Sequence, residues 1–135
     1  MGHGDYRSAA LLRVAGAVQR SRYLADLGDN WDGEGAKGYS RETWKRTAEF
    51  AIRHANLMLT LLGATMPPPS VGPADMGSID LFWRLQGRTL LINFPADPKA
   101  PATFYGETDS GSSTSGLIPP DGTRPDIIGW LIGAD

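Results

Sequence analysis

Ile79-Asp80-Leu81-Phe82-Trp83-Arg84-Leu85-Gln86-Gly87-Arg88-Thr89-Leu90-Leu91-Ile92-Asn93-Phe94 is the stretch whose reading decides the fold. Ile79, Leu81, Trp83 and Leu85 alternate with Asp80, Phe82, Arg84 and Gln86, and Leu90, Ile92 and Phe94 resume the alternation beyond Gly87. A period of two places alternate side chains on opposite faces of a strand. If Gln86-Gly87 is a two-residue turn, antiparallel pairing sets Trp83 opposite Leu90, Leu81 opposite Ile92 and Ile79 opposite Phe94. All six then share one face, because a slip of one residue would send one strand's set to the other side. The agreement between pattern and register predicts a hairpin with one face packed on other elements.

Those elements lie upstream. Ser40 is a good helix N-cap, Glu42 falls in the first turn, and Trp44, Ala48, Ala51, Ala55, Met58 and Leu62 form one helical face. Tyr39 before the cap and Trp44 inside it suit a hydrophobic staple. Phe50, Leu57 and Leu61 widen the apolar side, which suggests contact with a sheet as well as a helix. Glu42, Arg46, Glu49, Arg53 and Asn56 make the opposite stripe, expected to be solvated, and His54 beside Arg53 is expected at the surface. Gly63 and the prolines 67 to 69 end this helix, since proline lacks the amide hydrogen and pushes its predecessor toward extended geometry. An earlier helix is expected over residues 6–27, with Ala10, Leu11, Val14, Ala17, Val18, Ser21 and Leu24 on its apolar stripe and Gly28 closing it.

Downstream, residues 102–107 read as a third strand. Residues 109–116 are almost entirely Ser, Gly and Thr, which predicts a mobile loop. Thr123-Arg124-Pro125-Asp126 resembles a helix start, followed by Ile127, Ile128, Trp130 and Leu131. The sequence therefore predicts one α+β domain over residues 1–135. In it two N-terminal helices pack on a small three- to four-stranded antiparallel sheet, with a short C-terminal helix and a mobile terminus at residues 1–5.

Composition narrows the functions. The 135 residues suit one hydrophobic core, and the absence of cysteine excludes disulfides, thiolate catalysis and cysteine-ligated metals. No run approaches the roughly 18 apolar residues of a membrane span, and the N-terminus lacks a basic-then-apolar build, so a cytoplasmic protein without a membrane partner is expected. The net charge of −2 gives little general attraction to nucleic acid. Residues 1–66 carry nine Lys or Arg against seven Asp or Glu, whereas residues 67–135 carry four against eight.

The stretch Asn30-Trp31-Asp32-Gly33-Glu34-Gly35-Ala36-Lys37-Gly38-Tyr39-Ser40 is richest in residues with special geometry. Aligned as a helix–loop–helix calcium loop with Gly33 at its invariant glycine, it puts Gly28 and Tyr39 where oxygen ligands are required, so no metal is expected. Gly33-x-Gly35-x-x-Gly38 has the wrong spacing for a dinucleotide fingerprint and follows a helix instead of a strand. Asp32 and Glu34 would repel phosphate, while Lys37 and Arg41 would attract it. No base, nucleophile or G-x-S-x-G elbow accompanies the acids, so no catalytic residue is assigned. A structural reading has Trp31, Asp32, Tyr39 and Trp44 anchoring the crossing of two helices, with Trp31 and Tyr39 plugged inward. Glu34, Lys37 and Arg41 remain as candidates for contact with a ligand or partner.

Asn30-Trp31-Asp32-Gly33-Glu34-Gly35-Ala36, followed by a capped helix, Pro68-Pro69-Ser70-Val71 and a strand bearing Trp83, resembles a widespread group of small bacterial and phage proteins. Those proteins carry an N-W-D-G-x-G-A signature, a helix, a P-x-V segment and a short antiparallel sheet. The resemblance covers roughly residues 27–107 and departs from the group at Glu34, where an aromatic is expected, and at Gly38. It implies a setting in mobile elements or prophages and an accessory or interaction role.

Taken together, these readings lead to a non-enzymatic macromolecule-binding protein of the immunity, antitoxin or inhibitor kind, with no cofactor and another protein as its partner. A homodimer is an alternative arrangement, because Phe82 lies opposite the hairpin core and Tyr105 can join it. The alternative function is a small-ligand or nucleotide-binding domain that uses the Gly33 to Gly38 loop.

Overall fold

The computed structural model of the chain describes residues 3–35, 38–120 and 122–133. Among them, the elements follow in the order α1 (His3–Arg20), α2 (Arg41–Leu62), β1 (Ser70–Pro73), β2 (Ile79–Leu85), β3 (Arg88–Phe94), β4 (Ala102–Thr108), β5 (Ser113–Ile118) and α3 (Pro125–Ile132). Single 3-10 turns occupy Arg22–Asp26 and Asp75–Gly77. The class is α+β. The sheet is wholly antiparallel, each strand beside its sequence neighbour in the order β1-β2-β3-β4-β5.

The hairpin pairs Trp83 with Leu90, Leu81 with Ile92 and Ile79 with Phe94, and all six side chains are buried. Ala102, Phe104 and Ile118 extend this buried face across β4 and β5. Against it lie Val14 and Val18 of α1, Phe50, Ala51, Ala55 and Met58 of α2, and Ile127, Ile128 and Leu131 of α3. Pro67 contributes more than a helix stop, because its carbonyl accepts the Trp83 indole N–H at 3.0 Å. A buried indole needs such a partner.

The sheet has five strands rather than three to four. β5 runs through the Ser/Gly/Thr tract expected to be a loop, and only residues 109–112 turn. Its pairing with β4, from Ala102 opposite Ile118 to Glu107 opposite Ser113, supplies the backbone partners that its weak strand composition does not advertise. β1 was hidden differently: Ser70-Val71-Gly72-Pro73 is short and proline-flanked, and it pairs only as an edge beside β2.

α1 also ends earlier than expected, at Arg20. Ser21 is buried there, with its hydroxyl donating to the Val18 carbonyl at 2.5 Å and accepting the Trp44 indole N–H at 3.0 Å. Tightening of the chain into the following 3-10 turn seats Leu24 beside Tyr39 and Ile79 in a second small core. The helix begins by His3, inside the terminus expected to be mobile, whose first two residues lie outside the described ones. α2 matches its expected caps: the Ser40 hydroxyl accepts the Thr43 N–H at 3.0 Å, and Gly63 closes the helix at φ 63°. α3 opens with Pro125, as its sequence suggested.

Candidate functional surfaces

The loop between the 3-10 turn and α2 is held by its own side chains. Asp29 Oδ1 accepts the Gly38 N–H at 2.8 Å, Asn30 Oδ1 accepts that of Gly35 at 2.7 Å, and Asp32 Oδ1 accepts that of Glu34 at 2.9 Å. Short Asx side chains close turns in this way. The N–H groups of Glu34, Gly35 and Gly38 are therefore already occupied, and the N-terminus of α2 is capped by Ser40. Gly38 is the most constrained glycine of the loop, since a Cβ there would stand 2.6 Å from the Gly28 carbonyl carbon. At that approach, Tyr39 N–H reaches the Leu27 carbonyl at 2.9 Å.

Tyr39 plugs inward as expected, with its hydroxyl donating to the Ala74 carbonyl at 3.0 Å and burial raising its pKa. Trp44 is half-buried and ties α2 to Ser21. Trp31 does not plug inward. It is 38% exposed and sits against Tyr39 with ring centroids 6.0 Å apart, so it covers the tyrosine from outside. Together with Asp32, Tyr39 and Pro73 it lines a groove of about 540 Å³ whose far side is Met76. Met76 is 76% exposed and holds φ 59°, a left-handed conformation that an unbranched side chain adopts at some cost.

Glu34 and Arg41, the two candidate contact residues that are described, do not share a pocket. Glu34 is exposed on the loop, and Arg41 lines a separate groove with Gln19, Arg22 and Trp44. Lys37 lies outside the described residues. Among the described residues no group of three or more His, Asp or Glu is arranged to hold a metal ion. No helix there is long and apolar enough to cross a membrane.

The uncovered face of the sheet is the broader feature. Phe82, Leu91 and Tyr105 are consecutive partners across β2, β3 and β4, so they form one row on the side away from the helices. Leu117, opposite Thr103, adds an apolar side chain on the neighbouring row. Tyr105 is 47% exposed and Leu117 57%. Polar groups frame them: the Arg84 guanidinium lies 5.8 Å from the Phe82 ring centroid, the Tyr105 hydroxyl donates to Glu107 at 2.8 Å, and Asn93 donates to Asp80 at 2.8 Å. Burial raises the pKa of Asp80 above its ordinary value, against the stabilising bond from Asn93.

Two residues assigned to the surface lie deeper than expected. His54 is fully buried, stacked on Phe50 at 3.8 Å. Its Nδ1 lies 2.8 Å from the Phe50 carbonyl and its Nε2 accepts the Arg124 N–H at 3.0 Å, an arrangement that only the neutral ring with the proton on Nδ1 satisfies. His54 thereby fastens the start of α3 to α2. Its spacing from Phe50, Ala51 and Met58 was the available signal, masked by Arg53 next to it. The second is Arg46, a part-buried residue whose two terminal guanidinium nitrogens are covered although its stripe was expected to be solvated.

Comparison of the chain with protein-family models, curated proteins and solved structures returned no match. Its function is therefore argued from these surfaces.

Proposed function

We propose that this chain is a non-enzymatic accessory protein that binds another protein through the uncovered face of its sheet. The observation that carries the reading is the row of Phe82, Leu91 and Tyr105, extended by Leu117, on a face against which none of the described helices packs. An apolar centre with a polar rim is the usual anatomy of a protein interface. The sheet lies in the half of the chain with four basic residues against eight acidic ones, which favours a basic partner surface over a second copy of the same face. An immunity, antitoxin or inhibitor role in a mobile element or prophage is the setting we assign to it, on the resemblance of its loop signature.

The test is co-purification under gentle, low-salt conditions of the wild type and of a Tyr105→Glu, Leu117→Glu double variant. We expect one stoichiometric partner with the wild type, its loss from the variant, and unchanged melting temperatures. Recovery of the wild type as a lone monomer, or a partner retained by the variant, overturns the reading; self-association seen by sedimentation assigns the face to a homodimer instead.

A small-ligand reading keeps one supporting observation, the groove between Trp31, Tyr39 and Met76, whose volume lies within the usual range for such sites. Its aromatic and thioether walls, with Asp32 and Asp75 in the lining, suit an apolar or cationic ligand better than a nucleotide phosphate. Loss of binding of an aromatic amine on Met76→Ala, with wild-type binding in Arg41→Ala, would favour it.

A further inference from the structure

A groove of about 540 Å³ runs between the end of α1 with its 3-10 turn and the first turns of α2. Gln19, Arg22 and Asp26 line it from one side, and Arg41, Trp44 and Lys45 from the other. Arg41 and Lys45 are four residues apart on the helix, so their side chains project together. Arg22 meets them from the 3-10 turn, and the lining carries a formal charge of +2. None of these three cations makes an ion pair or a side-chain hydrogen bond among the described residues. A solvated cation needs no partner when it stands alone. Three that converge repel one another, and two of them sit at the wrong end of a helix. The N-terminus of α2 already bears the positive end of the helix dipole, which favours acids, whereas its last turn contains no basic residue. Glu42 offsets part of this charge in the first turn but does not line the groove. The placement costs the helix stability and raises the attraction of the groove for an anion.

The aromatic wall narrows what that anion is. Trp44 is half-buried, and its indole N–H donates at 3.0 Å to the hydroxyl of the buried Ser21. That bond fixes the ring, which lines the groove as a rigid flat surface. Nucleobases and phenyl groups stack on such rings. Guanidinium groups beside it suit the oxygens of a phosphate, which they can bind two-pronged. The volume lies within the roughly 300–1,000 Å³ of small-ligand pockets. We propose that this groove binds a phosphate monoester with a planar aromatic body, its phosphate held by Arg22, Arg41 and Lys45 and its body laid against Trp44. The lining charge of +2 matches the nearly dianionic phosphate of such an ester at neutral pH, whereas a carboxylate would leave it half compensated. Only helix and turn residues form the groove, so the proposal is independent of the sheet-face reading and needs no protein partner.

The experiment is a calorimetric and NMR titration of the full chain at low salt with adenosine monophosphate and with phenyl phosphate. Adenosine and inorganic phosphate serve as comparators. We expect saturable binding of an ester, roughly tenfold or more tighter than either comparator, with a shift of the Trp44 indole N–H signal. A preference for adenosine monophosphate would assign the site to nucleotides, and a preference for phenyl phosphate to aryl esters. Arg41→Gln with Lys45→Gln should weaken the ester roughly a hundredfold, the loss of two charge-assisted bonds, and leave the melting temperature unchanged or slightly raised. Arg22→Gln, outside α2, should weaken it separately by about tenfold. Absence of saturable binding overturns the proposal. So does inorganic phosphate binding as tightly as the esters, or unchanged ester affinity in these variants. Affinity for 5′-phosphorylated oligonucleotides that climbs with their length above that for adenosine monophosphate would overturn it in favour of a nucleic-acid surface.

Discussion

The two faces of the sheet are made by the same strands, yet they obey different rules. On the covered face Trp83, Leu90, Ile92 and Phe94 expose almost nothing and interlock with three helices, so every atom there has a neighbour that a substitution would disturb. On the uncovered face Tyr105 and Leu117 keep about half their surface in water, and their loss should cost the fold little. Stability resides on one side of the backbone, and the capacity to recognise something on the other. Alternation along a single strand is enough to separate the two.

Four measurements can break or sharpen that contrast. Trp83→Ala should have the largest effect, lowering unfolding free energy by roughly 3–5 kcal/mol through a cavity and an orphaned Pro67 carbonyl; a loss below 1 kcal/mol in urea titration would show that the covered face is not tightly packed. Gly106→Ala comes next. A Cβ there would stand 2.6 Å from the Trp130 ring, so we expect about 1–3 kcal/mol of overpacking, read from the same titration.

Third is acid sensitivity seated under the covered face. Burial depresses the His54 pKa, reinforced by Arg53 and opposed by the Phe50 bond and Asp126. The unfolded chain then binds the proton at a higher pH than the folded one, so the stability held by neutral His54 is fully present above about pH 6.5 and is lost as pH falls below it. Melting temperature measured between pH 7.5 and 5 should fall, and His54→Gln should flatten the fall while lowering the starting value. An unchanged slope in that variant would point to other groups.

Smallest of all should be the uncovered face, where Leu117→Ala is expected to shift stability by about 0.5 kcal/mol or less. A shift above 2 kcal/mol would mean that this face is packed against something in the isolated protein, and the contrast would collapse.

The parts of the molecule differ in how far they could be read beforehand. The hairpin was legible down to its residue pairs, because its apolar alternation and its two-residue turn had to agree, and α2 was legible from Ser40 to Gly63 for the matching reason in helical period. β5 was not, since Ser and Gly carry no burial signal, and its pairing comes from the β4 backbone beside it. The loop signature announced a special shape, yet only the tertiary structure revealed that Asp29, Asn30 and Asp32 accept the backbone N–H groups of Gly38, Gly35 and Glu34. His54 fastening α3 was equally hidden, because it depends on a segment distant in the chain.

Periodicity, caps and turns are local, so the sequence by itself determined the α+β class, the central hairpin with its register, and the bounds of α2. The tertiary structure alone decided the fourth and fifth strands, which sheet face would stay bare, and that His54 would be buried. Each of those depends on which surfaces meet across long loops, and burial, unlike propensity, is a property of the meeting and not of the residue.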